Sequence, residues 1–161
     1  MAPIRAPWGL AGFAEGCRLL KVLIAEDDLM IADMAEEILV DAGYEVCGIA
    51  RTVAEGVALA VLHKPDLAVL DLRLAGGGLG TEIAARIGGP GPKLGILYAS
   101  GNMGQLSLTA SDGHACLAKP YRSSDLVLGL RIVSDIARSG KTRLCPPHGF
   151  HVLAPALETV G

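Results

Sequence analysis

The chain has 161 residues, 51% of them hydrophobic and 19% charged, with a formal net charge of −3 at pH 7. That length suits one domain and excludes a large multidomain enzyme, while the apolar share supplies a core and carries no compositional signal of disorder. The negative balance argues against a surface built to grip a phosphate backbone, so no direct nucleic-acid partner is expected.

Residues 1–18 form a Gly/Ala/Pro-rich N-terminal extension, whose apolar stretch Ala6–Ala14 is interrupted by Glu15 and does not read as a signal peptide. From Leu19 to Ser139, short apolar runs alternate with stretches of helical period, which signals βα units around a parallel sheet. The first run, Leu20–Ala25, leads into a helix with Ile31, Met34, Ala35, Ile38 and Ala42 on one face. Asp33, Glu36, Glu37 and Asp41 lie opposite, and Gly43 stands where a stop belongs. Val46–Ala50 is the second strand; Val53, Val57 and Val61 line the helix after it, and Pro65 closes the loop. Leu67–Leu70 follows, then a short helix marked by Ile83 and Ile87 that cannot continue through residues 88–92, Gly-Gly-Pro-Gly-Pro. The fourth strand is Leu94–Ala99, with a fourth helix within Met103–Ala110, and the fifth strand is Ala115–Ala118. Leu126, Leu130, Val133 and Ala137 stripe the last helix, with Ser123 or Ser124 as its N-cap. Residues 140–161 form a Pro-containing tail, expected as an appendage with no output domain. All strand runs except the second are nearly unbroken apolar, as strands covered on both faces should be. The expected class is therefore α/β, a five-stranded doubly wound parallel sheet. No apolar run approaches the ~18 residues of a membrane-spanning helix, so no membrane insertion is expected. Cys17, Cys47, Cys116 and Cys145 form no C-x-x-C pair and read as reduced, mostly buried thiols of a cytoplasmic protein.

In an open parallel sheet, ligands collect beyond the carboxyl ends of the strands. Those ends carry Glu26-Asp27-Asp28, Asp71, Ser100-Gly101 and Lys119-Pro120. Carboxylates converging with one hydroxyl and one ammonium make a constellation for a divalent cation and a phosphoryl group. Like charges repel at close range, and a hard cation with oxygen ligands, most often Mg²⁺, relieves the repulsion. Asp28 is assigned instead to capping the first helix.

Taken in order, these residues resemble a response-regulator receiver domain of bacterial two-component signalling, over about Leu19–Ser139. The resemblance rests on an acidic pair after the first strand, an Asp after the third (71 − 27 = 44 positions on), a Ser followed by a small residue after the fourth, and Lys-Pro after the fifth. It implies a flavodoxin-like (βα)5 fold. In it, Asp71 accepts a phosphoryl group from a phosphohistidine on a sensor histidine kinase or histidine phosphotransfer protein. Asp27, Asp71 and the backbone carbonyl of Arg73 would ligate Mg²⁺, and Glu26 would act largely through metal-bound water. Lys119 would pair with the carboxylate and then the phosphoryl group, toward which Ser100 would reorient, and the Lys119–Pro120 peptide would be cis. Tyr98-Ala99-Ser100-Gly101 also resembles the F-A-T-G signature of single-domain receivers. The aromatic switch position three before the lysine is here Cys116, and Ala75 with Gly76-Gly77-Gly78 replaces the usual loop after the phosphoacceptor. The switch is therefore expected to lie in the Gly76–Gly80 loop and in the Asn102–Gln105 segment that follows Gly101. The expectation is a stand-alone receiver within a phosphorelay, against a pseudo-receiver that binds a partner without being phosphorylated.

Competing readings are weaker. In Gly76-Gly77-Gly78-Leu79-Gly80, the third glycine of a dinucleotide fingerprint would fall on Thr81. An aspartyl-nucleophile phosphatase needs a second Asp where Arg73 stands. Cys145, His148 and His151 have spacings that suit a metal, but scattered ligands in a Pro-containing tail are more often incidental.

Overall fold

The computed structural model describes residues 18–91, 93–101 and 107–155. Four strands whose residues are almost all apolar, β1 (Lys21–Ala25), β3 (Leu67–Leu70), β4 (Gly95–Ser100) and β5 (Ala115–Ala118), form the centre of the sheet, with β2 (Glu45–Ala50) at one edge. These five pair in parallel in the order β2-β1-β3-β4-β5. Chain order reverses between β1 and β3, the switch point of a doubly wound sheet.

Side chains alternate across the pleat. Val22, Ile24, Val69, Leu97 and Leu117 face one layer, made by α1 (Leu29–Asp41) and α4 (Ser123–Ser139). Leu23, Ala68, Leu70, Ile96 and Tyr98 face the other, made by α2 (Val53–His63) and α3 (Gly80–Arg86). Both faces of the sheet are covered, which is why the central strands carry no polar alternation.

The helices sit closer than their bulky residues suggest. In α1 the buried line is Ala32, Ala35 and Leu39, whereas Met34 is exposed, Ala42 falls at the exposed C-cap, and Ile31 and Ile38 are half-buried at the flank. In α2 the line is Val53, Gly56 and Ala60, and Val61 is exposed. In both cases the expected face is rotated, because the small residues admit the backbone to the sheet and the large ones are displaced sideways. In α4 Leu126, Leu130 and Val133 are buried as expected, joined by Gly129 and Ile132, while Ala137 is only half-buried. Its N-cap is Arg122 rather than a serine, with the Asp125 carboxylate accepting from the Arg122 N–H at 3.0 Å. At its other end Gly140 takes the left-handed conformation (φ 77°) that stops a helix.

Two expectations about the second half change. Residues 107–110, within the predicted fourth helix, are not helical; Thr109–Asp112 is instead a turn closed by the Asp112 carboxylate on the Thr109 N–H at 2.8 Å. Residues 102–106, which hold the rest of that expectation, lie outside the described residues. The tail is also more than an appendage. Residues Phe150–Val152 form β6, antiparallel to β5, and make the sheet six-stranded. Phe150 is 6% exposed and lies against Gly129 and Leu97. A three-residue strand anchored by one aromatic escapes a search for long periodicity.

Replacing Phe150 with Ala is expected to lower stability by about 3 kcal/mol, the lower end for a buried aromatic truncated in a core. Val152→Ala, at a position 55% exposed, should be near neutral. Urea unfolding of the two variants checks this, and equal midpoints would show that the tail strand contributes nothing to the core.

Candidate functional site

The ladder of the sheet runs one residue past the strands and holds the backbone of the site. The Glu26 N–H donates to the Ala50 carbonyl at 2.9 Å, the Asp71 N–H to Ala25 at 2.8 Å, and the Lys119 N–H to Ser100 at 3.1 Å. Three side chains from three strand ends are thereby aimed into one space.

There the Lys119 Nζ donates to the Glu26 Oε2 and, at 3.1 Å, to the Asp71 Oδ2. Carboxylate oxygens of Glu26, Asp27 and Asp71 lie within 4.8 Å of one another. Glu26 is buried and also accepts from the Asp28 N–H at 3.1 Å. Burial pushes its carboxyl above the usual range, against the pull of Lys119 and of that N–H. Burial alone would lower Lys119, but the hydrogen bonds and charges of Glu26 and Asp71 outweigh it and hold the ammonium above its ordinary value. Three carboxylates against one ammonium leave two formal negative charges (3 − 1 = 2). An all-oxygen donor set with surplus negative charge fits a hard divalent cation such as Mg²⁺.

The remaining predicted residues fall as follows. Ser100 ends β4, buried, beside the backbone of Lys119. Arg73 is exposed, and its N–H points to the Asp71 Oδ1 at 3.4 Å. Gly101 and Pro120 are exposed, the latter after a cis peptide. Asn102 lies outside the described residues. Cys116 is buried directly across from Tyr98, whose hydroxyl donates to the Asp112 carbonyl at 2.7 Å. Asp28 caps α1, accepting from the N–H groups of Met30 and Ile31. Cys145, His148 and His151 do not converge, since among the described residues only Glu26, Asp27 and Asp71 cluster as metal ligands. Nor are the described thiols mostly buried: Cys47 is half-buried and Cys145 exposed.

Sequence reasoning does not single out Tyr121, and it names Gly80 only as the end of the Gly76–Gly80 loop. Tyr121 borders the small space shared by Glu26, Asp71 and Lys119, and its position two after the lysine is the only signal in the chain. Gly80 opens α3, and a Cβ built on it would stand 2.1 Å from the Asp71 carbonyl oxygen. Its N–H bonds the Leu72 carbonyl, so the loop after Asp71 closes on this glycine and a larger residue would force the backbone to move.

Comparison with known proteins bears on the family and the fold. The sequence profile described as Response regulator receiver domain matches residues 22–131. The transcriptional regulatory protein PdtaR of Mycobacterium tuberculosis is 34% identical over 116 residues, 70% of this chain and 55% of that protein. The uncharacterized transcriptional regulatory protein YbdJ of Bacillus subtilis is 32% identical over 113 residues, 69% of this chain and 49% of that protein. The chain thus spans about half the length of these curated relatives. Among solved structures, the CheY-like response regulator receiver domain protein from Methanospirillum hungatei is 28% identical with a TM-score of 0.67, covering 76% of this chain and 99% of that one.

Gly80→Ala is expected to cost about 1–3 kcal/mol, the range for overpacking where backbone must move. Gly91→Ala, with nothing within 4 Å of the added carbon, is the neutral control. Thermal unfolding of both variants measures the difference, and equal stability would show that the Asp71 backbone yields freely.

Proposed function

This chain belongs to the response regulator receiver domain family of two-component signalling, and we propose that it takes a phosphoryl group onto Asp71 from a phosphohistidine. The observation that supports the reading most directly is the Lys119 ammonium shared between Glu26 and Asp71, with Asp27 alongside. Receivers in general exchange phosphoryl groups with histidine kinases or phosphotransfer proteins, and that is the class of partner proposed here.

In the transfer, an Asp71 carboxylate oxygen bonds to phosphorus as the phosphorus–nitrogen bond of the donor breaks, and the electron pair leaves with the imidazole. Phosphoryl transfer asks mainly for in-line positioning and neutralisation of charge. Glu26, Asp27, Asp71 and the Arg73 carbonyl are the groups that would hold Mg²⁺, which when bound supplies positive charge and a frame for phosphoryl oxygens. Lys119 stays with the Asp71 side, exchanging a carboxylate contact for one to the phosphoryl group. Ser100, at the end of the neighbouring strand, donates its hydroxyl to another phosphoryl oxygen. The acyl phosphate hydrolyses readily, which suits a signal that must decay. With Cys116 in the place of the usual aromatic, the response is proposed to run through the loops around Gly76–Gly80 and Gly101 to a protein partner in the cytoplasm.

Intact-mass measurement after incubation with Mg²⁺ and acetyl phosphate should show the gain of one phosphoryl group, absent in Asp71→Asn. No gain in the parent chain would favour a partner-binding receiver that is not phosphorylated. Asp27→Ala should weaken Mg²⁺ binding by at least the roughly tenfold seen when a supporting residue of a metal site is lost. Its melting temperature in EDTA should be unchanged or raised, because a like charge has gone; unchanged Mg²⁺ affinity in calorimetry would remove Asp27 from the site.

A further inference from the structure

We infer that the cavity at the end of the sheet opposite Asp71, ringed by Lys64, Lys93 and Arg138 over an apolar floor, binds a small organic polyanion: a phosphate-bearing head on an apolar body. The cavity has a volume of about 570 Å³, within the roughly 300–1,000 Å³ typical of small-molecule sites. Its floor is built where β1, β3 and β4 begin, from Leu20, Leu67 and Leu94, with Ala60, Ile87 and Ala137 from the helical layers. Elements from both faces of the sheet therefore meet there, and the hollow is a recess rather than a groove along one helix.

Its charge is the second observation. Asp66 is the single acid of the lining. Both of its oxygens are already engaged, by the two Arg18 Nη atoms at 2.7 Å each and by the Lys21 N–H at 2.8 Å. Among the described residues no ion pair reaches Lys64, Lys93 or Arg138. Three unpaired cations thus gather on one recess of a chain whose net charge is −3. Gathering like charges costs Coulomb energy that an anion in the recess would offset. Lys64 and Arg138 stand at the C-terminal ends of α2 and α4, where a cation also answers the helix dipole. Lys93 follows the Gly/Pro stretch before β4, away from any helix end, and the dipole does not account for it. An apolar floor under a cationic rim selects a ligand with both parts, of the class of a nucleoside diphosphate.

Amide chemical shifts in EDTA test this without involving Asp71, since no divalent cation is present. The probes are adenosine diphosphate, pyrophosphate and adenosine. Adenosine diphosphate should shift the amides of Leu20, Asp66, Leu67, Leu94 and Ala137 saturably, with a Kd tighter than about 1 mM, and pyrophosphate should bind more weakly at the same amides. The Lys64→Ala, Arg138→Ala double variant should weaken adenosine diphosphate roughly tenfold or more. Lys93→Ala, on a loop, should weaken it as well and keeps the test open if the double variant does not fold. Adenosine binding as tightly as its diphosphate, shifts confined to the Asp71 end, or an affinity untouched by Lys93→Ala would each overturn the inference.

Discussion

One ammonium held between a buried carboxylate, Glu26, and a half-buried one, Asp71, is the constraint on which the carboxyl end of this sheet depends. Glu26, Asp27 and Asp71 present oxygens within 4.8 Å of one another, and at an effective dielectric near 20 each such pair of charges repels by roughly 3 kcal/mol. That is comparable with a sizeable part of a domain's whole stability. Glu26 and Asp71 remain there because their backbones are tied into the ladder beyond the strands and because Lys119 answers both at once. The tie also makes the site responsive. Lys119 is bonded through its side chain to both acids and through its backbone to Ser100, so the charge of the acids and the end of β4 meet in one residue.

The rest of the fold serves to bring strand ends together without slack. Ala32 and Ala35 in α1, Gly56 and Ala60 in α2 and Gly129 in α4 are small residues buried where the helices pack, and a Cβ built on Gly56 or Gly129 would meet Ile83 or Phe150. Gly80 plays the same part at the site, where there is no room for a methyl group beside the Asp71 carbonyl. A chain with 4% aromatic residues and 21 glycines reaches dense packing by bringing backbones together rather than by filling space with rings.

The departure at position 116 has a structural counterpart. Cys116 lies in the layer under α2 and α3, and Tyr98, directly across the strand pair, lies fully buried in that layer. Its hydroxyl is spent on the Asp112 carbonyl, which ties the connection before β5 to the strand that ends in Ser100. On the far edge of β5, β6 covers what would be an open ladder. The surface that β5 presents in this protein is thus set by its own C-terminal strand.

The order of the five parallel strands and of the helices up to β4, the acids and the lysine at the strand ends, the cap at Asp28 and the family itself were legible in the sequence, because each rests on local pattern or on residue chemistry in a set order. Hydropathy weights bulky residues, so it placed Met34 and Val61 on inner faces that Ala32 and Ala60 in fact occupy. Which stripe faces the sheet is decided by how near two backbones can come, a property of both partners. The pairing of Phe150–Val152 with β5 and the meeting of Lys64, Lys93 and Arg138 over one recess join residues far apart along the chain, and the contact of Gly80 with Asp71 closes a loop between them. No periodicity announces them, since each depends on the closure of loops whose geometry only the assembled tertiary structure decides.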